Sequence, residues 1–323
     1  MIISASRRTD IPAFFSDWFM ERVKQGYFYQ MNPFNPKQIK GYSLAPDDVD
    51  AIGFFTKNPG PFLKHLSYLD SHGYPYFFHV TLNNYPQVFE PNLPSVEERI
   101  AVFQELSNRI GSAKVIWRYD PIIISSLTPM DYHLEAVAYL AKSLRGYTER
   151  VYISWLDFYT KVNRRLKLIT EKQEIEFTDL TQPEYHEQLF EFAAKIQRIF
   201  TDRGIQVFTC AEAIDFKSVG IEPGSCIDGN LIKDLFNIKK SLKKDTCQRK
   251  ECRCVKAVDV GIYNTCNFKC AYCYANSNEQ IIERNLQRYN QTGPLLIGDY
   301  DGKVEIIREK QLTLFDCSHL FQF

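Results

Sequence analysis

Short apolar runs alternate with stretches whose apolar residues recur every three to four positions, over the first two-thirds of the chain. The short runs read as strands and the periodic stretches as helices. Ile2 to Ala5 opens as a strand, and Phe14 to Gln25 reads as a helix. Strands follow at Ala51 to Phe55, Tyr76 to Leu82, Lys114 to Trp117, Arg150 to Trp155 and Gln206 to Thr209. Between them, helices are predicted over 62–71, 96–110, 130–144 and 183–202, with Ser95 as the cap of the second of these.

Six βα units in succession argue for an α/β fold with a parallel sheet, closed fully or partly into a TIM-like (β/α) barrel. The competing architecture is an open doubly wound sheet. That fold usually carries a Gly-rich first turn for phosphates, and none is present. After Glu212 the pattern changes. Ile221 to Gly229 reads as a turn-rich loop, and Lys239 to Lys256 holds eight Lys/Arg against two acids. Val258 to Tyr263 is a short β-like run, Glu279 to Asn290 a polar helix, and Leu312 to Phe323 an apolar tail. The expected organisation is 1–215 for the six units, 216–257 for the cysteine- and Lys/Arg-rich segment, and 258–323 for a closing strand, loop, helix and tail, all in one domain.

Polar residues gather just past the predicted strand ends, where such barrels build their sites. They are Arg7, Arg8 and Asp10 after the first strand, Lys57 after the second, and His79 on the third. Arg118 and Asp120 mark the fourth, Asp157 the fifth, and Cys210 with Glu212 the sixth. A plain structural role competes at each position; Arg118 with Asp120, for example, would make a buried tie.

Composition narrows the classes. With 45% hydrophobic and 14% aromatic residues in 323, the chain is globular rather than disordered. No apolar run approaches the ~20 residues of a membrane span. Arg7, Arg8 and Asp10 stand where a secretory h-region would sit, so a cytoplasmic protein without a membrane partner is expected. The formal net charge is zero, so no overall field draws in nucleic acid. The basic run 239–256 reads as an electropositive patch for a nucleic acid or phosphorylated substrate or, more often for such runs, as a solvated loop or a support for the charge of a nearby cluster.

Nine cysteines in a chain read as cytosolic are poor candidates for a disulfide framework. Six fall between Cys247 and Cys273, which reads as metal ligation. Cys266, Cys270 and Cys273 are spaced C-x3-C-x2-C on a loop after Val258 to Tyr263, with Tyr272 and Tyr274 flanking the third. Three close thiolates can hold three irons of a [4Fe–4S] cubane and leave the fourth open. Cys210, Cys226, Cys252 and Cys254 form a second set, read as an auxiliary cluster, with Cys247 as an alternative ligand and Cys317 outside both. Against ligation, Cys210 and Cys226 can be small buried residues. Zinc rivals iron at both sites, since C-x2-C pairs are frequent zinc ligands.

The segment Val258 to Asn276 resembles the cluster loop of the radical S-adenosylmethionine superfamily. Its position after six strands corresponds to a circularly permuted order. The fragments Phe55-Thr56-Lys57-Asn58-Pro59 and Arg118-Tyr119-Asp120-Pro121-Ile122 look like strand-end motifs of spore-photoproduct-lyase-type members. The whole chain resembles an uncharacterised bacterial family known only as a domain of unknown function. The resemblance implies an iron–sulfur enzyme whose open iron chelates S-adenosylmethionine. A flavodoxin or ferredoxin would be its electron donor, and its substrate is a small molecule or a nucleic acid. Arg7, Asp10, Lys57, Arg118 and Tyr272 would then contact the cofactor; His79, Asp120, Asp157 and Glu212 would orient ribose hydroxyls or substrate. The Gly-Gly-Glu segment usual in the superfamily is missing. A non-catalytic iron–sulfur carrier or redox sensor and a zinc-stabilised binding protein remain the other readings.

Overall fold

Eight strands, most of them apolar on both faces, pair into one parallel sheet in the computed structural model, which describes residues 1–32, 35–300 and 302–308. They are β1 (Ile2–Ala5), β2 (Ala51–Thr56), β3 (Tyr76–Thr81), β4 (Val115–Ile122), β5 (Arg150–Trp155), β6 (Gln206–Cys210), β7 (Glu222–Gly224) and β8 (Val258–Asp259). Their spatial order is β7-β6-β5-β4-β3-β2-β1-β8, and every ladder is parallel. Chain order and spatial order therefore agree, except that β8 returns to lie beside β1. No ladder joins β7 to β8 among the described residues. The closed form of the expected barrel is thus not formed; the sheet is open between its two shortest strands.

Period-two alternation assigns each strand two apolar faces. Tyr76, Phe78 and Val80, Val115, Trp117 and Tyr119, and Val151, Ile153 and Trp155 face one core, shared with the helices Ser16–Gln25, Val96–Ile110, Met130–Ser143 and His186–Thr201. Their neighbours Phe77, Ile116, Tyr152 and Cys210 face a second, smaller core. The cover on that side is Ile227, the helix Gly229–Phe236 through Leu231 and Ile232, and Cys252, Cys254 and Val255. The basic run is therefore anchored on the sheet by its few apolar residues while its charges point elsewhere. Gly53 sits where a Cβ would come within 2.9 Å of the Phe77 ring, so only glycine lets β2 and β3 pack here.

Local chemistry explains most element boundaries. The helix Val96–Ile110 begins in a capping box, Ser95 and Glu98 each satisfying a backbone N–H of the other. The expected helix 14–25 is broken at Phe15, because Asp10 and Pro12 start a separate short helix at Ile11. Three elements differ from expectation. A polar helix, Thr160–Gln173, buries only Val162 and Leu166, too narrow a stripe to read from periodicity. An antiparallel pair, Tyr27–Asn32 with Asn35–Ser43, lies outside the main sheet. The run Val258 to Tyr263 pairs only at its first two residues before the chain turns off the sheet. The tail 312–323, including Cys317, lies outside the described residues. Among the described residues no helix is long and apolar enough to cross a membrane.

His133 ties the helix Met130–Ser143 to the sheet: its Nδ1 accepts from the Tyr119 hydroxyl at 2.7 Å and its Nε2 donates to the Ile123 carbonyl at 2.8 Å. Burial pushes its pKa down to about 4 from an ordinary 6.5. The folded chain then refuses a proton that the unfolded chain accepts, so stability is lost as pH falls through this window. Between pH 6.5 and 5 the wild type should lose about 2 kcal/mol more than His133→Gln, measured by urea titration at each pH.

Candidate functional site

Because all eight strands run the same way, the segments that leave their C-terminal ends meet at one edge of the sheet. Asp259 at the end of β8 organises that edge. Its carboxylate accepts from Ser4 Oγ at 3.0 Å, Ser6 Oγ at 2.5 Å, and the backbone N–H groups of Arg7 and Gly261 at 3.0 Å each, with the Arg7 guanidinium at 3.6 Å. Gly261 is required there: a Cβ would stand 2.0 Å from Ser6 Oγ. The chain is thereby bent away from β1 and into the cysteine loop.

Within the loop, Asn264 and Lys269 take left-handed backbone conformations (φ 60° and 55°), which fold the three cysteines onto one another. Cys270 is buried, and Cys266 and Cys273 are half-buried, in a cluster with Phe14, Phe89, Phe268 and Tyr272. Arg165, on the polar helix that the periodicity did not reveal, caps the loop from outside. Its guanidinium donates to the carbonyls of Ala271 at 2.7 Å and Asn276 at 2.8 Å, and to that of Cys273. Asn276 closes the loop by donating to the Cys266 carbonyl at 2.9 Å.

Behind Cys270 lies a buried polar knot. Lys57 donates to Glu90 at 2.8 Å and to the Tyr272 hydroxyl at 2.8 Å, Tyr272 also donates to Glu90, and Arg99 stands 3.5 Å from the second Glu90 oxygen. Burial alone would lower the Lys57 pKa, but Glu90 and then Cys270 hold it above the ordinary lysine value. The Lys57 backbone N–H donates to Asp10 at 2.7 Å, and Asp10 also caps the Ile11 helix. Burial pushes Asp10 up to about 6. Of the expected cofactor contacts, Asp10, Lys57 and Tyr272 are thus gathered behind the loop as its supports. Tyr272→Phe should cost about 1–2 kcal/mol by thermal or urea unfolding, since the hydroxyl serves two buried charged partners.

The second set also assembles, on the inner face of the sheet. Cys210 Sγ lies 3.2 Å from Cys226 Sγ, Cys254 accepts from the Ile227 N–H at 3.4 Å, and Cys226–Cys254 and Cys252–Cys254 are side-chain neighbours. Cys247, the alternative ligand, has its backbone N–H on the Asp245 carboxylate at 3.0 Å. Around these thiols stand Arg118, which contacts Cys210, and His79, which stacks on Phe55 at 4.9 Å. Arg118 also makes the buried tie with Asp120, Nε to Oδ2 at 2.9 Å, and Ser154 donates to the other Asp120 oxygen. Glu212 accepts from the Trp155 N–H at 3.0 Å, and burial pushes its pKa up to about 8. Asp157 is half-exposed and paired with Arg249 at 2.9 Å.

Arg7 links the two thiol groups. Its side chain senses Cys226 and Cys254, while its carbonyl accepts from the Tyr274 hydroxyl, next to Cys273. Arg8 and Lys161 both lie over the Tyr263 ring, at 5.3 and 5.7 Å from its centre, adding cations beside the loop.

As free thiols these cysteines are poor nucleophiles: burial pushes Cys270 up to about 12 and Cys266 well above the ordinary value. A set of buried thiols ringed by cations fits metal ligation, where the ion displaces the protons, better than covalent catalysis. No group of three or more His, Cys, Asp or Glu side chains among the described residues is already drawn to metal-coordinating distances. Glu90, Asp259, Arg165 and Lys161 were not legible as site residues, because each acts through a partner far away in the chain.

A family model described as "Domain of unknown function (DUF1848)" matches residues 2–275, which span both thiol groups. No curated protein matches the chain.

Proposed function

The chain belongs to the DUF1848 domain-of-unknown-function family, and from that premise we propose that it is a radical S-adenosylmethionine enzyme with a barrel-derived sheet. The observation that carries the reading is the C-x3-C-x2-C loop. It leaves the end of the strand beside β1, at the same edge as the loops after β1 and β2. In a permuted barrel β8 takes the place of the usual first strand, and the strand order agrees with that arrangement.

Cys266, Cys270 and Cys273 would hold a [4Fe–4S] cluster, whose open iron would take S-adenosylmethionine. When bound, the pair supplies an electron and a 5′-deoxyadenosyl radical. The chain's own part is to bind, orient and keep water out. Phe14, Phe89, Phe268 and Tyr272 wall the thiols in apolar surroundings. Lys57, Arg165 and Lys161 lie close enough for their charges to act on Cys270 or Cys273, and so offset the negative charge of the thiolates. Of the three cations expected to pair with a carboxylate, Lys57 is spent on Glu90 and Tyr272, and Arg118 on Asp120. Arg7 is paired with Asp259 more loosely, at 3.6 Å and with its side chain 19% exposed, which makes it the best placed of the three to take a carboxylate; its backbone carbonyl accepts from Tyr274.

The test is protein purified without oxygen, reconstituted with iron and sulfide, reduced with dithionite and supplied with S-adenosylmethionine. Formation of 5′-deoxyadenosine with about four irons bound at the loop supports the proposal. Iron and sulfide without cleavage would leave an electron carrier or redox sensor instead. An absence of iron would remove both.

A further inference from the structure

We propose that Cys210, Cys226, Cys252 and Cys254 form a mononuclear four-thiolate zinc site, separate from the loop and independent of whether the loop carries an iron–sulfur cluster. The first argument is spacing. A single ion with metal–sulfur bonds of ~2.3 Å draws its four thiolates to about 3.8 Å from one another, the edge of the tetrahedron. A cubane gives each thiolate its own iron and so holds the sulfurs farther apart. Cys210 and Cys226 stand 3.2 Å apart, and Cys254 is a side-chain neighbour of both Cys226 and Cys252, although among the described residues the four are not drawn to coordinating distances. No such side-chain bond joins Cys266, Cys270 and Cys273, which sense one another only through charge. The two groups therefore suit different metal centres.

The second argument is a buried donor without an acceptor. Arg118 is 9% exposed and contacts Cys210, yet its Nη1 is buried and unpartnered; His79, 1% exposed, has the Cys226 backbone as its hydrogen-bonding neighbour. Neutral thiols are weak acceptors, whereas zinc-bound thiolates are good ones. Deprotonated sulfur would satisfy a donor that otherwise costs free energy by being buried alone. Zinc entry releases the four thiol protons, and the anionic site then lies against two arginines, Arg7 and Arg118.

The position gives the ion a structural role. Cys210 ends β6, Cys226 follows β7, and Cys252 and Cys254 come from the basic run that covers the sheet's inner face. One ion would pin that cover to the last two strands of the open edge. With all four positions filled by protein, no site is left for water or substrate.

The experiment is metal analysis and zinc-edge X-ray absorption on the full-length protein, purified without oxygen from cells supplied with both iron and zinc. About one zinc per chain is expected, with four sulfur neighbours at ~2.3 Å. It should persist when Cys266, Cys270 and Cys273 are all changed to Ala, and fall about tenfold in Cys226→Ser/Cys254→Ser. The wild-type absorption spectrum does not depend on any variant folding. Wild-type protein with no zinc and about eight irons would overturn the proposal in favour of a second cubane. No metal, or a Cys210–Cys226 disulfide, would reduce the group to packed thiols. Zinc retained in the double variant would place the ion elsewhere. Loss of cleavage activity alone bears on the loop, not on this site.

Discussion

Changing Cys270 to Ala is expected to abolish reductive cleavage of S-adenosylmethionine, with 5′-deoxyadenosine falling by more than about 100-fold, beyond what loss of an outer-shell contact causes. Bound iron should drop by about four per chain. Cys270 is the deepest of the three loop cysteines, and its neighbours cannot take over. Lys57, Glu90 and Tyr272 are committed to one another. Cys266→Ala and Cys273→Ala should follow the same course, and the triple variant should be no worse than the singles, since three ligands act as one unit. Zinc per chain should stay constant throughout. Iron content and cleavage unchanged in all three single variants would mean that the loop is a turn and not a cofactor site.

The sequence carried the sheet because both of its faces are apolar and its strands are short, so near-continuous apolar runs such as Tyr76 to Thr81 and Arg150 to Trp155 stand out. It carried the helix at Val96 because Ser95 and Glu98 announce it locally. The loop was legible from spacing alone, and Cys210, Cys226, Cys252 and Cys254 could be grouped as what was left after the loop was assigned. What stayed hidden has a common cause. Glu90 lies in a loop with no motif, 182 residues from the Tyr272 whose hydroxyl it accepts. Arg165 sits on a helix whose buried stripe is two residues wide. The antiparallel pair at Tyr27 to Ser43 shows mixed polarity because it packs only partly on the core, and the open gap between β7 and β8 depends on pairing that no local pattern encodes. Chemistry set by neighbours in the chain could be read; chemistry set by neighbours in space could not.

Asp259→Ala should be the most damaging single change outside the cysteines, lowering unfolding stability by about 4 kcal/mol. The carboxylate is buried and accepts from two serine hydroxyls and two backbone N–H groups, all of which lose their acceptor together. The Arg7 guanidinium would also lose its anion at 3.6 Å. Each stranded buried donor costs about 1–3 kcal/mol alone, and the sum is reduced because the chain can relax around Gly261. Asp259→Asn keeps the shape but turns an N–H₂ toward donors, so about half the loss is expected. The pH dependence separates this tie from simple packing. Burial pushes the Asp259 pKa up, but Arg8, Arg7 and the Ser6 hydroxyl outweigh it and hold the group below the ordinary 3.8. A depressed carboxylate contributes stability above its unfolded pKa and loses it as pH falls below that value. Urea unfolding should therefore show the gap between wild type and Asp259→Asn full at pH 7 and shrinking below pH 4. Because β8 pairs with β1 through only two residues, the loop's position depends on this carboxylate more than on the ladder. Wild-type stability in Asp259→Ala, with iron still bound, would show that the loop is held by Arg165 and Asn276 instead.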